Sequence, residues 1–238
     1  MSNAPVPPPP DLVPLSKLPH FDPRTVPVVA IDSDLPPVRP HELRPESIRA
    51  RFLAPPAWQP EAREEPRFTD RQPAAASVLV PIVLRAQPTV LLTERTTQLS
   101  THSGQIAFPG GKQDATDADA TETALREAHE EVGLHPRFVE VVGRLPTYTT
   151  GTRFIVTPVV AFVDPAASLT LNEHEVADAF EVPLQFLMTP AHHRRHAIVA
   201  GGARREWFSM PYMEGTTERF IWGATAAMLR NFYRFLAA

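Results

Sequence analysis

Stretches of apolar residues predict strands at six places along the chain. Residues 76–84 are almost continuously apolar, which is typical of a buried strand, and residues 88–94 follow as its partner. The other predicted strands lie near residues 138–145, 153–163, 194–199 and 206–213. Strands that alternate with helical patterns in this way indicate an α/β fold.

Three segments around these strands are predicted to be helical. The first is 42–52, with Pro45 in the first turn, where proline is tolerated. The second lies near 183–187, and the third closes the chain, where apolar residues recur at helical spacing. The residues of this last stripe are Thr225, Met228, Leu229, Phe232 and Leu236. Helices on both faces of a mixed sheet predict an α/β/α sandwich.

A fourth predicted helix, at residues 125–134, is rich in acidic residues. Glu127, Glu130 and Glu131 fall on one side of it, since residues three and four apart are neighbours on a helix surface. Like charges at this spacing destabilise a helix by roughly 0.2 to 0.5 kcal/mol per pair, so a compensating positive charge is expected. A divalent cation with oxygen ligands is the candidate, and an acidic face exposed only to water is the alternative.

The residues of this helix resemble the Nudix box, the signature of the Nudix hydrolase family. The matching positions are Arg126, Glu127, Glu130, Glu131, Gly133 and Leu134. The first half of the box departs from the family pattern, because Asp117 stands in place of Glu and one extra residue separates it from Arg126. The resemblance implies a Nudix-type α/β/α sandwich with Mg²⁺ or Mn²⁺ bound by the three glutamates. It also implies catalytic roles for Glu130, Glu131 and Arg126, with Arg126 holding the Glu130 carboxylate in position.

The glycines and polar residues around this helix have physical explanations of their own. Gly110 and Gly111 permit positive φ angles and a close approach of the backbone to a phosphate. Asp119 or Thr121 is expected to cap the start of the helix, and Gly133 to end it in the left-handed conformation.

The segment before the box resembles the additional motif of the coenzyme A pyrophosphatase branch of the family. Its matching residues are Leu91, Leu92, Thr93, Arg95, Gly104, Phe108, Pro109, Gly110 and Gly111. Ser100 stands where the motif has arginine, which removes a guanidinium able to bind phosphate through two hydrogen bonds. The resemblance implies substrate binding by Arg95, Gly104, Gln105, Phe108, Gly110 and Gly111.

These resemblances predict metal-dependent hydrolysis of the diphosphate bond of coenzyme A or its derivatives, which releases 3′,5′-ADP and 4′-phosphopantetheine or its acylated form. One alternative is a Nudix hydrolase for another nucleoside diphosphate derivative, such as ADP-ribose or NADH, and Ser100 keeps it open. The other alternative is a non-catalytic nucleotide-binding Nudix module. Its expected mark is the loss of a helix glutamate, and all three are present.

Residues downstream of the box supply further candidates. Glu173 and Glu175 lie in a polar stretch, and a loop glutamate in such a region acts as general base in other Nudix enzymes. We therefore take Glu175 as a candidate catalytic residue, with a solvated loop glutamate as the alternative. Trp222 and Gly223 are either substrate contacts or core residues. The histidines within 192–196 are interpreted as solvated loop residues in preference to a zinc site.

Composition agrees with an enzyme that works on a small molecule. The 238 residues are 43% hydrophobic, which suffices for a sizeable core. A formal net charge of -4 argues against broad nucleic-acid binding, which depends on clustered Lys and Arg. The chain has no cysteine, which excludes disulfides and thiolate metal sites, and its most apolar run is interrupted by Pro and Arg, so no membrane span is expected. We expect a cytoplasmic protein with a nucleotide substrate, and a homodimer is compatible with the sequence.

The N-terminal part of the chain differs from the rest because it holds most of the 28 prolines. Pro7–Pro10 form an uninterrupted tract, which favours an extended polyproline conformation. A linker and a ligand for an aromatic-lined partner groove are the two interpretations of this tract. The predicted organisation is a proline-rich, disordered or extended segment at 1–40 and a catalytic domain at 41–238.

Overall fold

Two β-sheets and four α-helices form the part of the chain that this computed structural model describes. Those residues are Leu15, Leu18, 21–67, 69–96, 104–200 and 203–238. The strands are β1 (Val28–Ile31), β2 (Ala74–Val83), β3 (Thr89–Arg95), β4 (Ile106–Ala107), β5 (Gly110–Lys112), β6 (Val139–Arg144), β7 (Tyr148–Thr149), β8 (Phe154–Val163), β9 (Val176–Pro183), β10 (Arg194–Ala200), β11 (Ala203–Glu214) and β12 (Thr217–Trp222). The helices are α1 (Pro45–Leu53), α2 (Ala120–Val132), α3 (Leu184–Leu187) and α4 (Gly223–Leu236).

The larger sheet has a mixed topology. Its central path runs β4-β3-β2-β8-β6, while β5 pairs with β2, β7 with β8 and β9 with β3. β2 and β8 are parallel and in continuous register, from Ala74 opposite Phe154 to Val83 opposite Val163. The other pairings in this sheet are antiparallel. Two of the strongly apolar runs in the sequence therefore lie side by side at the centre of the sheet.

Helices cover both faces of the larger sheet, which confirms the predicted α/β/α sandwich. Ala124 and Ala128 of α2 share a core cluster with Leu79 of β2 and Val159 of β8 on one face. On the other face α4 belongs to a larger core cluster that includes Val80 of β2. Because α2 is held through this stripe of small apolar residues, its rotation about its own axis is set, and with it the direction of its glutamates.

A second sheet, of order β1-β10-β11-β12, is antiparallel throughout and packs against α4. Phe208, Met210 and Ile221 belong to the same core cluster as Leu229 and Phe232 of α4. The sequence predicts β10 and β11 but neither β1 nor β12. β1 is a short apolar run whose four residues are all exposed, and only its pairing with β10 in the folded chain assigns it to this sheet.

The proline-rich segment contacts this second sheet over part of its length. The ring centroid of Phe21 lies 5.8 Å from that of Trp207 and 6.0 Å from that of Trp222. The carbonyl oxygen of Val26 lies 3.0 Å from Nδ1 of His196. Pro7–Pro10 lie outside the described residues, and the domain boundary at residue 40 stays a prediction.

Two predicted helices occur close to their expected positions. A short 3₁₀ turn at Pro40–Leu43 leads into α1, and Pro45 is the first residue of α1. α3 occupies Leu184–Leu187. β9 was not predicted, because acidic residues interrupt its apolar pattern. Among the described residues, no helix is long and apolar enough to cross a membrane.

Candidate functional site

Helix α2 begins and ends with well-formed caps. The Asp119 side chain accepts hydrogen bonds from the backbone N–H of Thr121 at 2.7 Å and of Glu122 at 3.0 Å. Gly133 adopts a left-handed φ of 68° and donates its N–H to the carbonyl oxygen of His129 at 3.0 Å. The caps therefore agree with the sequence, which left Asp119 and Thr121 as alternatives, and they hold both ends of the helix.

Gly110 and Gly111 occupy positions where a side chain would not fit. A Cβ at Gly110 would lie 2.4 Å from the carbonyl oxygen of Ser77 and 2.6 Å from Cα of Val78, both in β2. A Cβ at Gly111 would lie 2.5 Å from the Glu127 carboxylate. The sequence explained these glycines by the approach of a phosphate, but packing against β2 and α2 already requires them.

Arg126 is bound by Asp117 through two parallel hydrogen bonds. Nε donates to Oδ1 and Nη2 to Oδ2, each at 2.9 Å, and Nη2 also donates to the carbonyl oxygen of Lys112 at 3.1 Å. The Arg126 guanidinium and the backbone N–H of Asp114 hold the pKa of Asp117 well below its usual range. Asp117, which departs from the family pattern, is thus the carboxylate that orients Arg126.

Arg126 also connects two of the three helix glutamates. Its Nη1 donates to Oε1 of Glu127 and to Oε2 of Glu130, each at 3.0 Å. Among the residues that the structure describes, no donor bonds the second oxygen of either carboxylate. Burial raises the pKa of Glu127 despite the opposing effect of Arg126, whereas the Glu130 side chain is 55% exposed. Each carboxylate therefore keeps one oxygen available to a further ligand.

Glu131 is the buried member of the set, with 3% of its surface exposed. Its Oε2 accepts the N–H of Gly110 at 3.1 Å, and its Oε1 lies 3.6 Å from Nη1 of Arg95. Burial raises the pKa of Glu131 to about 7, with the Gly110 N–H and Arg95 opposing the shift. A buried carboxylate with this little compensation favours the binding of a cation.

Glu175 lies near these glutamates. Its negative charge raises the pKa of Glu127 and of Glu131, although burial and the nearer charges have larger effects on both. Its Oε1 accepts a hydrogen bond from Nδ2 of Asn172 at 3.2 Å. Glu173, the other glutamate of the predicted polar stretch, is exposed. The fold therefore selects Glu175 as the loop glutamate near α2.

A cavity of about 440 Å³ lies beside Gly110 and Gly111, which we call the glycine turn. Of the six residues predicted to bind substrate, those that line it are Arg95, Gln105, Phe108, Gly110 and Gly111. Gly104 is not among the lining residues. It has a left-handed φ of 66°, and its N–H donates to the carbonyl oxygen of Arg95 at 3.1 Å, so it turns the chain back onto β3. Ser100 lies outside the described residues.

The far wall of the cavity comes from the second sheet and the start of α4. It includes Arg205, Trp207, Trp222 and Gly223. Sequence reasoning did not assign Arg205 or Trp207. Trp207 lies in the predicted strand at 206–213 and Arg205 directly precedes it, but only the folded chain shows that both line the same cavity as Gly110 and Gly111.

The interpretation of the histidines as solvated loop residues is wrong. His193 is fully buried and His196 is 2% exposed. His193 lies with Nε2 2.8 Å from the carbonyl oxygen of Leu187 and Nδ1 3.1 Å from Nη1 of Arg230. His196 lies with Nε2 2.8 Å from Oγ of Ser209. The error arose because the packing of the second sheet against α4 and the N-terminal segment, which buries both rings, has no local sequence signal.

The donor set on α2 suits a hard divalent cation such as Mg²⁺ or Mn²⁺. All candidate ligands are carboxylate oxygens, and the pKa values of Glu127 and Glu131 are raised by burial, which marks charge that the protein itself leaves undercompensated. No three of the described His, Asp and Glu side chains stand at the spacing of a formed metal site. In this arrangement Arg126 holds one oxygen of Glu127 and one of Glu130.

Comparison with known proteins gives one family and several relatives. The sequence model of the family described as "NUDIX domain" matches residues 73–200. A protein named "Uncharacterized Nudix hydrolase NudL" from Salmonella paratyphi B is 44% identical over 157 residues, which cover 66% of this chain and 79% of that protein. The same name and figures apply to a protein from Salmonella newport.

The solved structures that resemble this chain are more distant. One is the "Crystal Structure of a C. elegans Ap4A Hydrolase Binary Complex", which has a TM-score of 0.41 and 21% identity and covers 50% of this chain and 85% of that one. At that TM-score the likeness does not bear on substrate.

Proposed function

We propose a function from the premise that this chain belongs to the NUDIX domain family, whose model matches more than half of it. The protein is accordingly a Nudix hydrolase that acts on nucleoside diphosphate derivatives. The finer proposal is that it hydrolyses the diphosphate bond of coenzyme A or its derivatives. The water oxygen bonds to one phosphorus, and the bridging oxygen leaves with the other phosphate. The products are 3′,5′-ADP and 4′-phosphopantetheine or its acylated form.

The observation that carries this substrate is the position of Arg95. In sequence, Arg95 belongs to the motif that resembles the coenzyme A pyrophosphatase branch. In the fold its guanidinium lies 3.6 Å from Glu131 and in the wall of the cavity. Gln105, Phe108 and the glycine turn line the same cavity. Arg95 and the N–H of Gly110 thus join the substrate motif to Glu131 of α2, which supports a diphosphate held between them.

Glu127, Glu130 and Glu131 would hold Mg²⁺ or Mn²⁺ at this place. The bound ion supplies charge neutralisation on the diphosphate and a lower pKa for its water. The chain itself does the positioning: Arg126, held by Asp117, aligns the Glu127 and Glu130 carboxylates, and the N–H of Gly110 aligns Glu131. Positioned ligands and neighbouring dipoles lower the reorganisation required in the reaction.

Glu175 is proposed to accept the proton of the attacking water. The basis is its position near α2, from which its charge acts on Glu127 and Glu131. The hydrogen bond from Asn172 fixes one of its oxygens. A general base needs a position within hydrogen-bond reach of the attacking water, and the place of Glu175 near the proposed metal ligands supports this role.

Turnover of a substrate panel by the purified protein tests the proposal. Coenzyme A, ADP-ribose and NADH are compared, each with Mg²⁺ and with Mn²⁺, and the products are separated by chromatography. We expect the highest kcat/KM for coenzyme A. A higher value for ADP-ribose or NADH would replace the substrate with another nucleoside diphosphate derivative. Binding of coenzyme A without turnover of any compound would indicate a non-catalytic module.

A further inference from the structure

The loop between β8 and β9, residues 164–175, is attached to the C-terminal end of α2. The last four carbonyl groups of an α-helix have no partner within the helix, so other groups must satisfy them. Here the N–H of Thr170 donates to the carbonyl oxygen of Val132, and the N–H of Asn172 donates to that of Glu131, each at 2.9 Å. The loop is therefore fixed to the backbone of the buried glutamate of α2.

The main chain of Glu175 is held from two sides. Its N–H donates to the carbonyl oxygen of Asn172 at 2.9 Å, and its carbonyl oxygen accepts the N–H of Thr96 at 3.0 Å. Thr96 directly follows Arg95, the last residue of β3. The backbone of Glu175 is thus fixed relative to both α2 and β3, and only the rotation of its side chain remains to be controlled.

The side-chain amide of Asn172 makes two hydrogen bonds within this loop. Its Oδ1 accepts the N–H of His174 at 3.2 Å, which closes a local turn of the kind that asparagine favours. Its Nδ2 donates to Oε1 of Glu175 at 3.2 Å. An amide combines an acceptor and donors in one planar group, whereas an ionised aspartate offers acceptors only. This pair of bonds therefore depends on an amide at position 172.

The charges around Glu175 make this donor important. The carboxylate of Glu175 lies close enough to Glu127 and Glu131 for its negative charge to act on both. Repulsion between like charges favours rotation of the Glu175 side chain away from α2. Within the described part of the chain, the bond from Asn172 is the one side-chain hydrogen bond that the Glu175 carboxylate accepts. This bond therefore opposes the repulsion.

We propose that Asn172 is a positioning residue for Glu175. Its Nδ2 holds Oε1 of Glu175, so that the carboxylate stays beside the α2 glutamates and Oε2 accepts the proton of the attacking water. The inference rests on the proposed function, because the role of Glu175 as general base belongs to it. It gives Asn172 no contact with the substrate, and it makes the loop at 164–175 part of the reaction machinery.

The experiment replaces Asn172 in two ways. Asn172→Asp keeps an acceptor for the N–H of His174, removes the donor and adds a negative charge, whereas Asn172→Ser removes the amide donor without adding charge. We expect kcat to fall about tenfold in Asn172→Asp and about threefold in Asn172→Ser, with KM within about twofold, because a misplaced general base loses part of its contribution. His174→Ala is the control and should leave kcat unchanged, since it changes an exposed side chain and keeps the N–H of the turn.

A double-mutant cycle with Glu175→Gln shows whether Asn172 acts through Glu175. In the Glu175→Gln background, Asn172→Asp should change kcat less than about twofold, because the group that Asn172 positions is already gone. A full tenfold loss in this background would overturn the inference. Impairment of Asn172→Asp without impairment of Asn172→Ser would also overturn it, since the loss would then come from the added charge.

Backbone hydrogen exchange in EDTA separates positioning of Glu175 from general support of the loop. The N–H groups of Thr170, Asn172 and Glu175 should stay protected in Asn172→Ser, because their acceptors are backbone carbonyl groups that the variant keeps. Loss of this protection would show that Asn172 holds the loop as a whole, and the inference would be wrong.

The choice of substrate keeps this inference distinct from the proposed function. All kcat values are measured with the nucleoside diphosphate derivative that the wild type hydrolyses fastest, so the outcome does not depend on coenzyme A. Full activity of Glu175→Gln would reject the proposed general base. Full activity of both Asn172 variants beside an impaired Glu175→Gln would reject the positioning role of Asn172 alone.

Discussion

Two clusters of charged residues in this protein are built on opposite principles. The α2 cluster consists of Asp117, Arg126, Glu127, Glu130 and Glu131. The second-sheet network consists of Asp32, Glu61, His193, Arg195 and Arg230. In the first, Arg126 pairs with three carboxylates, and the fourth, Glu131, lies 3.6 Å from Arg95. In the second, two carboxylates meet two arginines.

The pKa values of the carboxylates follow from this difference. In the α2 cluster burial raises the pKa of Glu127 and of Glu131. In the second-sheet network burial also acts on Glu61, but hydrogen bonds from Arg230 and Arg195 outweigh it and lower its pKa. Ion pairs with balanced charge connect the N-terminal segment, β10 and α4. On α2, negative charge exceeds positive charge, which favours the binding of a cation. Charge imbalance, rather than charge density, distinguishes the site from the scaffold.

Removal of one carboxylate from the α2 cluster should affect activity and leave stability unchanged. Glu130→Gln is expected to lower kcat about 10³-fold, because metal stabilisation of the reacting diphosphate is worth several kcal/mol. Its melting temperature should stay close to that of the wild type, since Glu130 is exposed and its ion pair is of a kind worth little. Glu122→Gln, which changes an exposed carboxylate earlier in the same helix, is the control. Unimpaired hydrolysis by Glu130→Gln would refute its role as a metal ligand.

The opposite outcome is expected in the second-sheet network. Arg230 is 1% exposed and bonds Glu61 at 2.7 Å and Asp32 at 3.0 Å. Arg230→Met should lower the free energy of unfolding by about 3 kcal/mol, because it removes a buried cation and leaves two partly exposed carboxylates undercompensated. Arg234→Met removes a more exposed arginine 3.7 Å from Glu61 and should cost less than about 1 kcal/mol. Urea unfolding measures both, and equal losses would mean that burial of the pair does not matter.

The pH dependence of stability should show the uncompensated negative charge of the α2 cluster. The pKa of Glu131 is raised to about 7 in the folded chain from 4.5, so ionisation of Glu131 opposes folding. In metal-free protein the free energy of unfolding should therefore fall as pH rises from 4.5 to about 7, by up to about 3 kcal/mol. Glu131→Gln should lack this part of the fall. If denaturation of the two proteins in EDTA shows the same pH slope, Glu131 is not the group responsible.

Comparison of the two loop glutamates, Glu173 and Glu175, tests which of them acts together with the α2 cluster. Glu175→Gln is expected to lower kcat about 10²-fold with little change in KM, because a general base acts in the reaction step. Glu173→Gln is the matched control, since Glu173 is exposed and two residues away. Equal activity of the two variants would exclude Glu175 as the base.

The smallest effect is expected from Asp117, which acts through Arg126. Asp117→Asn should lower kcat about tenfold, because Arg126 loses the partner that orients it. The double variant Asp117→Asn with Arg126→Gln should be no less active than Arg126→Gln alone, since both changes remove the same positioning. Additive losses in this double-mutant cycle would instead indicate that Asp117 has an independent role, such as metal binding.

The sequence predicted the elements that carry their own pattern. The continuous apolar runs became β2 and β8, and the residues at helical spacing became α2 and α4. The ion pair of Arg126 with Glu130 follows from helix spacing alone. The partner of Arg126 on the other side, Asp117, was left open, because a loop residue nine positions away meets the helix only through the shape of the turn.

Local chemistry determined the proposed metal site of this protein: a helix of fixed pitch places Glu127, Glu130 and Glu131 together whatever surrounds them. Tertiary structure decided which of these glutamates is buried, which loop glutamate joins them and which strand forms the far wall of the cavity. The first two outcomes depend on the packing of α2 against β2 and β8 and on the pairing of β9 with β3, and the third depends on the packing of the second sheet against α4. Contacts between residues far apart in the chain leave no local periodicity, so only the folded chain shows that Arg205 and Trp207 line the same cavity as the glycine turn.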